Sequence, residues 1–215
     1  MSPLRRFVLS GFLWLPLCFF AWFYFAGPLV FPAFCIVRWA VAHFLPDAIS
    51  AASLVFDSKL HTVVINFVPL LGPQIDPASG RTFVVDAIPI NPMVYGYALP
   101  LFAGLVLAAP LSGRTRAWQL VAGLCVISIS QAWGVYWELL KYLGMEAGPS
   151  GAAIVARHGI SAEVIALCYQ LGYLMLPAIV PAAMWIVFNR GLVEELTRPP
   201  QEPPQEPPQE PIRSE

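Results

Sequence analysis

Long apolar runs constrain this chain more than any other feature. They cover residues 7–26, 93–110, 117–137 and 162–188, and each approaches or exceeds the length of about 20 residues that a helix needs to cross a bilayer. Charged residues make up only 12% of the chain, against about 25% in soluble domains. We therefore predict an all-α membrane protein with about four transmembrane helices in a lipid bilayer. The net charge of -1 gives no reason to expect a nucleic-acid partner.

Residues 1–27 are predicted to form an uncleaved signal anchor, which is the first transmembrane helix. Its apolar run is longer than the roughly 7–15 residues of a signal-peptide core, and cleavage after Ala26 would place the bulky Tyr24 at the -3 position. Arg5 and Arg6 precede the run, so the N-terminus is expected in the cytoplasm.

Residues 28–45 are apolar but interrupted by Pro32, Arg38 and His43. An arginine at the bilayer centre costs at least about 2.5 kcal/mol on insertion scales. We therefore predict an interfacial or re-entrant helix, and the alternative of a further span stays open at this point.

Residues 46–92 change character and predict a small extracytoplasmic β-hairpin domain. Two β-rich runs, 61–68 and 81–88, are separated by a segment full of turn-forming residues. A two-stranded sheet cannot bury an apolar face by itself.

The apolar face of this hairpin needs a cover. Alternate residues of the first run, Val63, Ile65 and Phe67, are all apolar. The 28–45 helix offers a matching stripe of Leu29, Phe34, Val37 and Val41. The functional alternative is a free edge strand that pairs with an extended segment of a partner.

The arginines predict the orientation of the chain. With four spans, the short loop that carries Arg114 and Arg116 lies in the cytoplasm, as does Arg190 after the last span. If 28–45 also spanned, these arginines would lie outside. We predict a multi-pass protein of the bacterial inner membrane with both termini cytoplasmic.

The second half of the chain divides into two parts. Residues 93–192 are predicted to form a three-helix transmembrane region. Residues 193–215 repeat Pro-Pro-Gln-Glu three times and are predicted to be a disordered tail.

Polar residues inside the spans are candidates for function. Gln131 and Gln170 fall at matching depth, roughly 9–12 Å below the outer surface at 1.5 Å per helical residue. They could bond each other or free carbonyl groups as a structural clasp. Glu138 and Lys141 lie on the same stripe as Gln131, which indicates an interfacial ion pair or a docking face at the outer rim.

An enzymatic alternative rests on Cys168, with Arg157 and His158 in the preceding segment. It would be a divergent thiol peptidase or transpeptidase, although no nucleophile motif surrounds the cysteine. The four cysteines lie singly in apolar runs, and the usual metal- and nucleotide-binding motifs do not occur. We therefore predict no metal and no cofactor.

Four short segments resemble exosortase H-associated membrane proteins: 14–19, 91–100, 131–138 and 169–177. The resemblance covers residues 4–192. Members of that family are encoded beside a subtype of exosortase, a membrane enzyme that cuts a C-terminal sorting signal from exported proteins. The resemblance implies a non-enzymatic accessory that binds the exosortase or its exported substrate, because this chain lacks the cysteine motif of the enzymes.

The candidate partner-binding or structural polar layer consists of residues in or beside these segments. They are Asn91, Tyr95, Gln131, Glu138 and Gln170.

Overall fold

The computed structural model describes residues 3–57, 62–75, 80 and 82–197. In chain order its elements are α1 (Pro3–Tyr24), α2 (Ala26–Phe44), β1 (Ile49–Asp57), β2 (Thr62–Pro69), β3 (Gln74–Ile75), β4 (Thr82–Phe83), β5 (Ile88–Ile90), α3 (Met93–Gly96), α4 (Ala98–Ala108), α5 (Gly113–Lys141), the π-helix π1 (Tyr142–Glu146), α6 (Gly148–Arg157), α7 (Ala162–Gln170), the π-helix π2 (Leu171–Met175), α8 (Leu176–Phe188) and α9 (Arg190–Thr197). The prediction of a mostly helical membrane protein with a small β unit is confirmed.

Helices α1, α4, α5 and α8 form a bundle with its own core. α1 runs opposite to the stretch formed by α3 and α4, because Gly104 of α4 packs on Leu15 while Gly96 of α3 faces Trp22, further along α1. Phe7 at the start of α1 stacks on Trp185 of α8, with a centroid distance of 5.2 Å. The buried core residues of this bundle are Ala98, Phe102, Val106, Ala109, Ile127 and Trp185.

The outer surface of the bundle is apolar, as contact with lipid requires. Phe12 and Phe20 of α1 are 76% and 73% exposed. Soluble monomers rarely present apolar surface of this extent to water. This surface is suited to the hydrocarbon core of a lipid bilayer.

Four helices are long and apolar enough to cross a membrane, but they are not the predicted set. They are Leu4–Tyr24, Ala26–Phe44, Gly113–Glu146 and Ala162–Phe188. The predicted span 93–110 is instead divided into α3 and α4, which together make the shorter apolar stretch Met93–Ala108.

Helix α2 qualifies as a span by length and composition, yet its neighbours are not those of α1. It packs on the sheet and on the second half of α5, where its buried residues share a core with Leu139 and Leu140. Its interfacial or re-entrant placement stays a prediction.

The apolar face of β2 is covered by α2, as expected. Val63, Ile65 and Phe67 are fully buried. Their partners on α2 are Val30, Phe34, Val37 and Val41, so Val30 takes the place that the sequence stripe gave to Leu29. Leu29 instead lines a lateral apolar groove beside Trp22 and Leu99.

The pairing within the sheet differs from the predicted hairpin. β2 pairs with β1 on one side and with β5 on the other, in the order β1-β2-β5. Of the run 81–88, only Thr82–Phe83 and Ile88 lie in strands, and Thr82–Phe83 pairs with Gln74–Ile75. The strand that was missed, β1, is rich in Ala and Ser, which carry little β-propensity. His61 and Arg81 lie outside the described residues.

Helices also occur outside the predicted transmembrane spans. The segment between α5 and α7 holds π1 and α6. α9 reaches Thr197, so the tail begins later than residue 193. Leu192, Val193 and Leu196 of α9 pack against the bundle core. The remaining tail, from residue 198, lies outside the described residues.

Candidate functional site

A polar cluster lies where α3, α5, π1 and α7 meet, at the end of the bundle that adjoins the sheet. We define it by its seven members, which are Asn91, Tyr95, Gln131, Glu138, Lys141, Glu146 and Tyr169.

Gln131 holds the start of α3 against α5. Its side-chain Nε2 donates to the carbonyl oxygen of Pro92 over 2.8 Å, and the residue is almost fully buried. Gly96, one turn along, permits this approach because a Cβ there would lie 2.6 Å from the Gln131 Nε2. The predicted alternative of a bond from Gln131 to a free carbonyl is therefore the one observed.

Asn91 closes the first turn of α3. Its Oδ1 accepts a hydrogen bond from the backbone N–H of Met93 over 2.9 Å. An Asn side chain does this readily, because its oxygen reaches the backbone two residues on. The short helix that carries Tyr95 is thus fixed at its beginning by a local bond and by Gln131.

Tyr95 links α3 to the C-terminal end of α5. Its hydroxyl donates to Glu138 Oε2 over 2.8 Å, although the two residues are 43 positions apart. The tyrosine ring is 1% exposed and fills the space where a Cβ of Gly134 would lie. A hydrogen bond to a charged acceptor contributes about 1.5–3 kcal/mol when both groups are shielded from water.

Lys141 pairs with Glu146, and the predicted ion pair with Glu138 is not formed. Its Nζ lies 2.8 Å from Glu146 Oε1 and 5.0 Å from the centre of the Tyr169 ring. The π-helical winding explains the choice of partner, since Ala147 donates to Tyr142 five residues back in place of the usual four. A spacing of five residues thereby places Glu146 beside Lys141.

A second π-helix borders the same cluster. π2 begins directly after α7, and its Gly172 lies against the backbone of Gly134. Tyr173 in π2 stacks on Tyr169 and meets Tyr95 edge to face, with centroid distances of 5.8 Å and 6.2 Å. π-helices make up well under about 1% of residues in proteins and occur frequently at functional sites.

Gln170 does not join the cluster. It is exposed on α7, and the predicted clasp with Gln131 is not formed. The bond between these helices instead runs from the Trp133 Nε1 to the backbone carbonyl of Cys168, over 3.2 Å.

The residues of the enzymatic alternative lie at the end of α6 and in α7. Arg157 and His158 are exposed at the end of α6, while Cys168 is half-buried in α7. No hydrogen bond or ion pair in the described ranges links the three. The same ranges hold no group of three metal-ligating side chains.

One polar pair escaped the sequence analysis. At the opposite end of the bundle, Gln119 and Asn189 are both buried and exchange two side-chain hydrogen bonds of 3.1 Å and 3.3 Å. Each residue is an isolated amide in or next to an apolar run, and this marks it as a candidate in the sequence. The sequence spacing does not show that the two residues meet.

Comparison with known proteins places the chain in a family. The family model described as "Exosortase H-associated membrane protein" matches residues 1–192, which is most of the 215-residue chain. Neither a curated protein nor a solved structure gives a significant match. The matched range includes both the bundle and the polar cluster, and the chain belongs to the exosortase H-associated membrane protein family.

Proposed function

We propose that this protein is a non-enzymatic accessory of an exosortase-type protein-sorting system in the bacterial inner membrane. In this proposal its polar cluster binds the sorting enzyme or its exported substrate on the outer side of the membrane. The family name supports an association with exosortase H.

The carboxylate of Glu138 is the observation that supports the polar cluster as the binding surface. One of its oxygens accepts the Tyr95 hydroxyl, and no described residue donates to the other. Lys141, the nearest cation along the helix, is held by Glu146. A half-buried carboxylate that keeps one free oxygen is suited to a cationic or N–H donor from a partner chain.

The surroundings of Glu138 favour a partner that is itself a membrane protein. An apolar groove of about 240 Å³ runs between α2 and α5 beside the cluster. Trp133, Tyr136 and Trp137 line it, and Trp133 is 39% exposed. Aromatic residues are enriched in protein interfaces because they combine a large apolar area with one polar group.

The test is co-purification of exosortase H with this chain after co-expression in membranes. Glu138→Gln keeps the side-chain volume and an oxygen for Tyr95 but removes the charge. We expect the variant to retain about a tenth or less of the enzyme, because truncating one partner of a buried charged bond costs several kcal/mol.

Glu163→Gln is the matched control, because Glu163 is an exposed acidic residue in the first turn of α7 and does not belong to the polar cluster. It should leave co-purification close to that of the unaltered chain. Equal recovery with Glu138→Gln would show that the cluster is not the binding surface. If the unaltered chain retains neither the exosortase nor an exported substrate after crosslinking, the proposed function is wrong.

A further inference from the structure

The free edge of β1 is an unusual feature of the small sheet. β1 has nine residues and pairs only with β2, because the described part of the sheet ends there in the order β1-β2-β5. Natural proteins usually protect such edges with Lys, Pro or a covering loop. The sequence of β1, Ile-Ser-Ala-Ala-Ser-Leu-Val-Phe-Asp, contains neither Lys, Arg nor Pro.

The register shows which backbone groups of β1 point outward. Pro89 of β5 lies opposite Asn66 and has no N–H, so the hydrogen-bonded pairs of that ladder fall on either side of it. Successive residues of a strand bond to opposite sides, so the backbone of Asn66 bonds to its β1 partner, Ser53. The neighbours of Ser53, Ala52 and Leu54, therefore direct their N–H and C=O groups to the free edge.

A groove follows the first half of this edge. It has a volume of about 400 Å³ and lies between α2 and β1. Its lining consists of Arg38, Val41, Ala42, Ile49, Ser50, Ala51 and Ala52. Apart from Ile49, the strand side chains there are small, so a second backbone can approach closely.

Arg38 gives the groove its charge. It is the only ionisable residue of the lining, it is exposed, and no described side chain forms an ion pair with it. A guanidinium binds a carboxylate through two parallel hydrogen bonds. The groove therefore combines a strand edge, which recognises extended backbone, with a cation, which selects an acidic residue.

We propose that the free edge of β1 binds an extended acidic peptide segment of a partner protein as an added strand, with Arg38 holding its carboxylate. Main-chain hydrogen bonds would supply affinity, and Arg38 would supply selectivity. The chain's own tail is a poor occupant, because two of every four residues in its repeat are prolines without an N–H. The groove shares no residue with the polar cluster, so this inference does not depend on the proposed function.

The experiment measures binding of fluorescent eight-residue peptides to the full-length protein in detergent micelles. One probe alternates Thr and Val around a single Glu, and its matched probe carries Lys in place of Glu. We expect the Glu probe to bind about tenfold more tightly, and Arg38→Glu to reverse that preference. Arg157→Glu makes the same charge reversal at an exposed site on α6 and should leave both affinities unchanged.

The backbone part of the proposal has its own variant. Ala52→Pro removes an outward N–H that β2 does not use, and Pro is tolerated on an edge strand in this position. It should weaken the Glu probe about tenfold while the unfolding temperature stays close to that of the unaltered chain.

Several outcomes would overturn the proposal. They are failure of both probes to bind, equal binding of the two probes, and a preference unaffected by Arg38→Glu. A chain ending at residue 197 that binds the Glu probe more tightly would identify the tail as the occupant instead. A dimer that the Glu probe dissociates would identify a second copy.

Discussion

Gln119 and Asn189 form a reciprocal amide pair in the bundle, although 70 residues separate them. Asn189 also donates to the carbonyl of Trp185 on its own helix, over 2.9 Å. The pair joins the start of α5 to the end of α8, close to the stacked rings of Phe7 and Trp185. It is the counterpart, at the opposite end of the bundle, of the bond between Gln131 and Pro92.

The amide pair should stabilise the bundle measurably. We expect Asn189→Leu to lower the free energy of unfolding by about 0.6 kcal/mol and by at most about 1.7 kcal/mol, the average and the maximum for interhelical hydrogen bonds in a membrane. Gln119→Leu should cost less, because Asn189 keeps its bond to Trp185. Unfolding in lipid bicelles measures both, and the double variant should cost less than the sum. Strictly additive costs would mean that the two amides do not interact.

Gly134 should not tolerate a methyl group, because the Tyr95 ring occupies the space. We expect Gly134→Ala to destabilise the protein by about 1–3 kcal/mol, as over-packing does. The matched control is Gly11→Ala on α1, where no atom lies within 4 Å of the added carbon. That change should be neutral or stabilising, since Ala favours helix over Gly by about 1 kcal/mol. Equal effects in thermal unfolding would contradict the packing described here.

The sequence predicted the depth of the polar residues better than their direction. Counting residues along a span places Gln131 and Gln170 at similar depth, but it gives no rotation about the helix axis, and Gln170 faces outward. A regular α-helix predicts that Lys141 pairs with Glu138, three residues before it. π1 changes the spacing from four residues to five, and no local residue pattern announces this.

The sheet, too, can be predicted from the sequence only in part. The alternation of β2 predicted both its strand and its buried face, because each residue of that face is strongly apolar. β1 is harder to predict because residues 50–53 of the strand are Ala and Ser, which favour a strand little and form one there through pairing with β2. Tertiary contacts, not local preference, determine this element.

Cys168→Ala should leave protein sorting intact. Cys168 shares no described bond with Arg157 or His158, and its contribution to packing between α5 and α7 is the backbone carbonyl that Trp133 binds. A substitution by Ala retains that carbonyl. The measurement is processing of a reporter substrate in cells that carry the exosortase. Loss of processing at normal protein levels would revive the peptidase alternative.

The orientation can be tested with reporter fusions. We expect a fusion at Ser112, between α4 and α5, to report the cytoplasm, because Arg114 and Arg116 follow it. A fusion at Ser79 should report the outside. Each site should be tested with two separate fusions, one to alkaline phosphatase and one to green fluorescent protein, because the two reporters are active on opposite sides of the membrane. The reverse pair of results would mean that α2 crosses the membrane as a true span.

The packed face of β2 gives the strictest test of the fold. Phe67 is fully buried against α2, whereas the next residue, Val68, lies on the other face and is 38% exposed. We expect Phe67→Asp to destabilise the protein by about 4 kcal/mol or more, because it removes a buried ring and places an unpaired carboxylate in the core. Val68→Asp adds the same charge one residue away and should cost about 1 kcal/mol or less. Protease resistance in membranes and thermal unfolding in detergent measure the difference. Equal stability of the two variants would show that α2 does not cover this face of the sheet.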